Sequence, residues 1–415
     1  MYDIAIIGAG TSGLMASIAA TNYGANTLII EKNKIVGKKL RLTGGGRCNV
    51  TNSQSIEHII NHIPGNGKFL YSTFSQFDNQ DIIDFFNNHD TPLKEEDHGR
   101  MFPKSNKSTD IVNTLYNIAQ RQEATFKLQE TVKKISFYND IFTITTDNQQ
   151  YQARKIIIST GGKTYQYTGS TGDGYKFAKK FGHTITPLYP TECALKSHDS
   201  IITNKELQGL SFKDIEVTVI GNKKSQIKHR HDLLFTHFGL SGPAILRSSG
   251  VVWQLLNKKQ KVQIAINFAP NQTSNNLKDT LQRLAKQYPE KQISSLLSNI
   301  LPERLAKIII KQANIKTTSK CKQLTVSHYE NIINHIQQFT ININATIPLD
   351  KAFVTGGGIA LKEVNPKTLE SKLQPNLYFT GEVLDINGYT GGYNITAALC
   401  TGYSAGSNAA MSLWT

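Results

Sequence analysis

Hydrophobic positions run in continuous blocks near the two ends of the chain and alternate with polar ones in its middle. Ile4, Ile6 and Ile7 make a short β-branched run that stops at Gly8-Ala9-Gly10-Thr11-Ser12-Gly13. Small residues from Leu14 to Asn22 predict a helix, with Gly24 as its C-terminal stop. Thr27-Leu28-Ile29-Ile30 is a second strand ending at Glu31, and so unbroken an apolar run fits a parallel strand covered on both faces. Residues 52 to 129 mix helical patterns with loops. Val132 to Ile144 and Tyr151 to Ser159 read as β structure leading to Thr160-Gly161-Gly162. From Pro187 to Phe268 short alternating strands prevail, Ile215 to Ile220 and Val262 to Ile266 among them. Pro270 to Gln338 has helical periodicity, with Pro302 near the first turn of one helix. Strands return at Ala352 to Val354 and Leu377 to Phe379, and a last helix runs from about Asn394 to Met411. The pattern predicts an α/β chain. A nucleotide-binding domain in two segments, 1–186 and 341–415, is interrupted by a β subdomain (187–269) and a helical subdomain (270–340).

The first glycine turn carries chemistry because of its context. Gly8-x-Gly10-x-x-Gly13 follows an apolar strand, opens a helix and precedes an acidic strand end, which is the Rossmann-like arrangement. Gly8 permits the tight turn, Gly10 lets the backbone approach a pyrophosphate, and Gly13 allows helix and strand to pack closely. The helix amino end offers N–H groups to phosphates, and Glu31 can accept hydrogen bonds from a ribose. This turn suits NAD and FAD alike. The far end of the chain separates them. Leu377-Tyr378-Phe379-Thr380-Gly381-Glu382 is a strand ending in an acid, followed by Asp385 and by Gly391-Gly392-Tyr393-Asn394 at the start of the last helix. A carboxylate at Glu382 or Asp385 suits ribityl hydroxyls, and the helix start suits the edge of a flavin where negative charge accumulates.

Composition removes other classes. Apolar residues are 39% of 415, no uninterrupted apolar run approaches a membrane span, and no basic flank precedes the first strand as in a secretory signal. The cysteines Cys48, Cys193, Cys321 and Cys400 include no CxxC pair, which fits a reduced cytoplasm and excludes a structural zinc site. His229-x-His231 and His237 lack the companions of a metal site, so no metal is expected. Val354-Thr355-Gly356-Gly357-Gly358 lacks the spacing of a second dinucleotide turn. NADH or NADPH, as reductant, must therefore visit the flavin transiently and leave.

The most unusual stretch is Thr43-Gly44-Gly45-Gly46-Arg47-Cys48-Asn49, a loop whose glycines suit a backbone touching something flat or anionic. Here the chain resembles the BaiN/RdsA-type NAD(P)/FAD-dependent flavoproteins, within the glutathione-reductase-like group. Further matches are Gly99-Arg100-Met101-Phe102-Pro103, Gly169-Ser170-Thr171-Gly172-Asp173-Gly174, Phe235 through Pro243, and Gly381 through Asn394. Ser159-Thr160-Gly161 is a variant of the Ala-Thr-Gly usual there. The resemblance implies a FAD domain with β and helical insertions, the glycine loop against the flavin ring, and Val132 near the adenine. Cofactor contacts are expected from Gly8, Gly10, Thr11, Ser12, Gly13, Glu31, Lys32 and Lys39. Others are expected from Thr43, Gly44, Gly45, Arg47, Cys48, Asn49, Thr160, Gly161 and Gly162, and at the far end from Gly381, Glu382, Asp385, Gly391, Gly392, Tyr393 and Asn394.

Charge adds a partner. There are 46 Lys and Arg against 31 Asp and Glu, a formal +15. From Gly221 to Val262 eight basic residues face one acid, and from Lys278 to Lys322 ten face three. Excess charge segregated onto an insertion suits RNA docking, with Lys223, Lys224, Lys228 and Arg230 as the expected contacts. Members of the resembled family reduce uridine to dihydrouridine in large-subunit ribosomal RNA, and others act on aminoacetone or steroid-like enones. Charge favours RNA, a small amine or enone being the second reading and a non-catalytic flavin-binding ribosome-assembly factor the third. Addition of hydride at C6 of an exposed uracil calls for a proton at C5. Cys48 is the first candidate donor, Tyr389 and His237 the others, and Arg47 is expected to lower the Cys48 pKa.

Overall fold

The computed structural model describes residues 1–414, in two compact units: Met1–Pro190 with Leu349–Thr415, and Thr191–Pro348. In the first unit β1 (Tyr2–Ile7) runs into α1 (Thr11–Asn22) and β2 (Thr27–Glu31). All five β2 residues are buried, which is why this strand reads as one apolar run rather than an alternation. The chain continues through α2 (Ile56–Asn61), α3 (Ser108–Arg121) and β3 (Thr125–Leu128). An antiparallel meander follows: β4 (Val132–Tyr138), β5 (Ile141–Thr146) and β6 (Gln150–Ile158). Strand order is β3-β2-β1-β6-β5-β4, with β1 parallel to both β2 and β6. Long β6 thus serves two jobs, pairing antiparallel to β5 along its first half and lying in a parallel sheet along its second.

The second unit is built on a long hairpin, β7 (Ser211–Gly221) and β8 (Lys224–Phe235). Helix α4 (Pro243–Asn257) follows, inside the stretch expected to be all β. Its buried side, Ala244, Ile245, Ser248, Ser249, Val252 and Leu255, has the 3–4 spacing of a helix. Next come β9 (Val262–Asn267), α5 (Ser274–Gln287), α6 (Glu303–Gln312), α7 (Val326–Gln337) and β10 (Phe339–Ile343). The strands form one sheet in which β10, β9, β7 and β8 are neighbours. Separate β and helical subdomains, with a boundary at 269/270, are not what forms. Leu277, Leu281, Leu305, Ile309, Ile332 and Ile336 share one core with Val217, Val219 and Ile264. Amphipathic helices this short cannot bury their apolar faces alone, and the sheet supplies the cover.

The chain then returns to the first unit. There β11 (Leu377–Phe379) adds in parallel beside the second half of β6, and α8 (Tyr393–Met411) ends the described fold. Helices α1 and α8 pack backbone to backbone. A side chain at Gly402 would overlap the carbonyl of Ser12, and one at Gly406 the carbonyl of Ala16. Both contacts advance by four residues, so the two helices run parallel.

Candidate functional site

The first glycine turn has the geometry its spacing implies. Gly8 has φ +104°, and a Cβ there would stand 2.6 Å from the Ser159 carbonyl oxygen. A Cβ on Gly13 would overlap the carbonyl of Gly8. At Gly10 the result is opposite: nothing lies within 4 Å of an added Cβ. Thr11 and Ser12 open α1, which has no side-chain cap and no acid in its first turn, so its N–H groups are directed at that open space. Helix α8 likewise begins without a side-chain cap or acid, at Gly392 with φ +94°. Tyr393 lies nine residues before Gly402, the level of Ser12. The two amino ends are therefore staggered by about 13 Å along parallel axes. One cofactor with phosphates near one end and a ring near the other fits that stagger.

Glu31 is buried and braces the turn. Its carboxylate accepts from Ala9 N at 2.9 Å and from Asn33 N at 2.8 Å and Nδ2 at 2.6 Å. The chain before Val132 runs beside it, for Glu130 N donates to the Glu31 carbonyl. Lys32 pairs with Asp173 at 2.6 Å and donates to Thr171, tying the turn to the Gly169–Gly174 motif. Burial alone would raise the Asp173 carboxyl, but Lys32 and Thr171 outweigh it and hold the pKa below its ordinary value.

Across the site Lys39 donates to Glu382 at 2.7 Å and to Thr164 at 2.8 Å. Glu382 also accepts from Thr355 N at 2.9 Å and, more weakly, from Gly162 N. Burial would lift the Glu382 carboxyl, but the charge and hydrogen bond of Lys39, with Thr355, hold it low. Asp385 behaves differently: burial raises it, and hydrogen bonds from Thr186 and Asn66 only partly offset this. Gly381 meets Ser12 of α1 and receives support from the Thr401 hydroxyl. Asn394 braces the turn before α8, accepting from Gly388 N and donating to the carbonyls of Gly388 and Tyr389.

The Thr43–Asn49 loop is held in left-handed backbone at Gly44, Gly45, Gly46 and Cys48. Added Cβ atoms at Gly45 and Gly46 would meet nothing within 4 Å. Arg47 corrects an expectation. Its guanidinium grips Glu96 in bidentate fashion at 2.8 and 3.0 Å and lies over the Phe102 ring, 4.2 Å from the centroid. It does not lower the Cys48 thiol. Cys48 is wholly buried, and burial pushes its pKa up to about 12 despite a hydrogen bond with Thr43. Tyr389 is half-buried in the turn before α8, its N–H donating to the His62 carbonyl. His237 is exposed, between β8 and Gly239 in the second unit.

Sequence reasoning missed a ring cluster on the first unit. His58 and His62, one turn apart on and just after α2, stack at 4.0 Å. His62 stacks on Tyr393 at 4.9 Å, His58 Nε2 stands 3.2 Å from the Tyr393 hydroxyl, and Tyr389 meets the His62 ring edge-on at 6.1 Å. The His58-x-x-x-His62 spacing was the available signal. In the second unit Arg230 pairs with Asp214 at 2.7 Å and Lys228 with Glu216 at 3.0 Å, while Lys223 and Lys224 are exposed at the hairpin turn. Among the described residues no group of three His, Cys, Asp or Glu is placed to hold a metal, and no helix is long and apolar enough to cross a membrane.

Two buried atoms complete a test of cofactor fit: Asn49 Oδ1 and Thr160 Oγ1 have no hydrogen-bond partner within the protein. Both belong to segments expected to touch the cofactor. With the space beside Gly10, Gly45 and Gly46 and two open helix ends, these residues fit FAD. Known proteins agree. The chain is 28% identical over 412 residues to a 3-dehydro-bile acid delta(4,6)-reductase of Clostridium scindens, covering 99% of each. It is 30% identical over 393 residues to a ribosomal RNA dihydrouridine synthase of Escherichia coli, covering 95% of this chain and 94% of that one. The solved 3-ketosteroid delta1-dehydrogenase of Sterolibacterium denitrificans, at 12% identity, shares the fold with a TM-score of 0.54 over 99% of both chains. The HI0933-like protein Rossmann domain model matches residues 2–408. A flavin cradle built from both ends of the chain thus has its counterpart across nearly the whole sequence: the protein belongs to the HI0933-like Rossmann flavoprotein family and is a FAD-dependent oxidoreductase.

Proposed function

We propose that the protein reduces an exposed uridine of large-subunit ribosomal RNA to dihydrouridine, with NADH or NADPH as the electron source. The observation that carries this reading is where the charge lies. Residues 191–348 hold 21 Lys and Arg against 10 Asp and Glu, a net +11, while the other 257 residues hold only +4. A polyanion is the partner that such segregation favours. The relatives' names support the reaction type: the uracil C5=C6 bond and a steroid enone are both alkenes conjugated to a carbonyl. Either takes hydride at the β carbon and a proton at the α carbon.

Bound FAD would supply the hydride for C6. The remaining work belongs to side chains. The amino end of α8 would direct positive dipole charge to the ring end of the site, and the Lys39–Glu382 pair keeps a carboxylate ionised next to Gly381, which meets Ser12 at the start of α1. A proton must reach C5. A thiol buried with a pKa near 12, as Cys48 is, makes a poor donor at neutral pH. We take Tyr389, half-buried in the turn before α8 with its ring edge-on to His62, as the candidate donor instead. The target base must be unpaired or flipped, since a stacked uracil is closed to both groups.

The test is mass spectrometry of ribosomal RNA from cells with and without the gene. Dihydrouridine in large-subunit RNA should vanish on deletion and return with the wild-type gene but not with a Gly10→Val copy. Unchanged dihydrouridine on deletion would overturn the RNA reading. Turnover of a free enone or amine without RNA would then favour the small-molecule chemistry.

A further inference from the structure

The second unit contains a groove that none of the expected RNA contacts touches. Its volume is about 690 Å³, and its walls carry Arg304, Lys307, Lys311 and Lys316 against a single acid, Glu206. Three of these cations lie on one face of α6, at spacings of three and four residues, so they line up along the helix. From Arg304 to Lys311 the rise is about 10 Å, comparable to about three successive phosphates of one helical strand. Lys316 continues the line into the following loop, where Thr317 and Thr318 add hydroxyls.

Part of the basic surface elsewhere on the unit is neutralised by pairing. On the hairpin, Lys228 and Arg230 have carboxylate partners, and Glu290 takes both Lys320 and Lys322 at 2.7 and 2.6 Å. Within the groove, Lys307 pairs with Glu303, but among the described residues Lys311 and Lys316 make no ion pair. Arg304 donates to the carbonyls of Glu206 and Gln208 at 3.3 and 3.0 Å, which fixes its direction without cancelling its charge. The apolar floor is sunken: Ile308 is half-buried and Ile315 buried, while all four cations are exposed. A membrane-binding face would need apolar side chains projecting outward, and this groove presents none.

We infer that the α6 groove is a docking track for the phosphodiester backbone of RNA, an inference that rests on the RNA reading of the function. Phosphate contacts position a substrate and carry no sequence information, so the groove would hold RNA whatever the target base.

The experiment uses the full-length FAD-loaded protein and a short fluorescent RNA hairpin with a uridine-rich loop, followed by anisotropy across a salt series. A Lys311→Gln/Lys316→Gln double variant should bind about tenfold more weakly at ~0.1 M salt. Its log–log salt slope should be shallower by roughly 1.5, at ~0.7 to 0.9 per lost contact. Lys311→Arg/Lys316→Arg should keep the wild-type slope, and both variants should keep the flavin spectrum. Wild-type binding with an unchanged Gln variant would overturn the groove and leave the RNA reading standing. No binding by the wild type would sink both. Equal loss of binding to phosphatidylserine vesicles would make the groove a lipid surface and overturn the proposal.

Discussion

The two units carry similar numbers of basic side chains, 25 and 21, and use them in opposite directions. In the flavin unit the cations singled out by motif are drawn onto acids from distant parts of the chain. Lys32 reaches Asp173, Lys39 reaches Glu382, and Arg47 reaches Glu96. Such pairs tie distant loops together and leave little net charge. In the second unit the acids are half as many as the cations, and the ion pairs are mostly exposed, where they contribute little. Its stability comes instead from one apolar core, leaving the surface charge free to attract a polyanion. Charge paired inward ties loops together, and charge left outward gives the second unit its positive surface.

The sharpest way to break this comparison begins with the helices behind the flavin loops. Gly402→Val should force α8 off Ser12 and destabilise the flavin unit by about 3 kcal/mol, read in urea unfolding. Gly10→Val meets open space, so the protein should still fold yet emerge colourless from gel filtration. If the Gly10 variant keeps full FAD, the phosphates lie elsewhere.

Next in size is the proton donor. Tyr389→Phe should slow reduction of a uracil substrate about a hundredfold while flavin reduction by NAD(P)H is preserved. Cys48→Ala should stay within about tenfold of wild type, and a larger loss would restore the thiol as the acid.

The inward pairing itself can be tested through Lys39→Met. Leaving Glu382 unpaired should cost about 2 kcal/mol at neutral pH, allowing for its partial exposure. The sign follows from the lowered carboxyl of Glu382: the stabilisation is present above the unfolded carboxylate pKa and lost as pH falls through the lower folded value. The stability gap between wild type and variant should therefore close in acid, and a gap that is flat with pH would contradict the pairing. On the outward side Arg230→Gln should leave the melting temperature within about 1 °C, because its pair with Asp214 is exposed. A clear drop would mean that the hairpin charges are structural.

The dinucleotide turn, the acid at Glu31 and the helix start at Gly391-Gly392 were legible in the residues alone, because each depends on local backbone geometry. Gly8 needs a positive φ and Gly13 a close approach, and no other residue type meets those demands cheaply. Strands β1 and β2 were legible because both faces are buried, leaving an unbroken apolar run. The insertion was harder. Helix α4 was hidden among alternating strands, and the helical stretch looked self-contained until its apolar faces joined the sheet's core. The direction of Arg47 was unreadable, since Glu96 lies 49 residues away and only folding brings it near. Burial reversed the expected shift of Cys48 for the same reason: desolvation depends on everything that surrounds the thiol, and its neighbours in sequence are few of those groups. His58 and His62 gain meaning only when Tyr393, more than 300 residues later, stacks on them. Sequence by itself was enough to read the geometry of the glycine turn and the class of chemistry, because backbone constraints are local. Tertiary structure decided which charges are paired, which thiol is sealed and where a groove opens, because those properties are set by long-range neighbours.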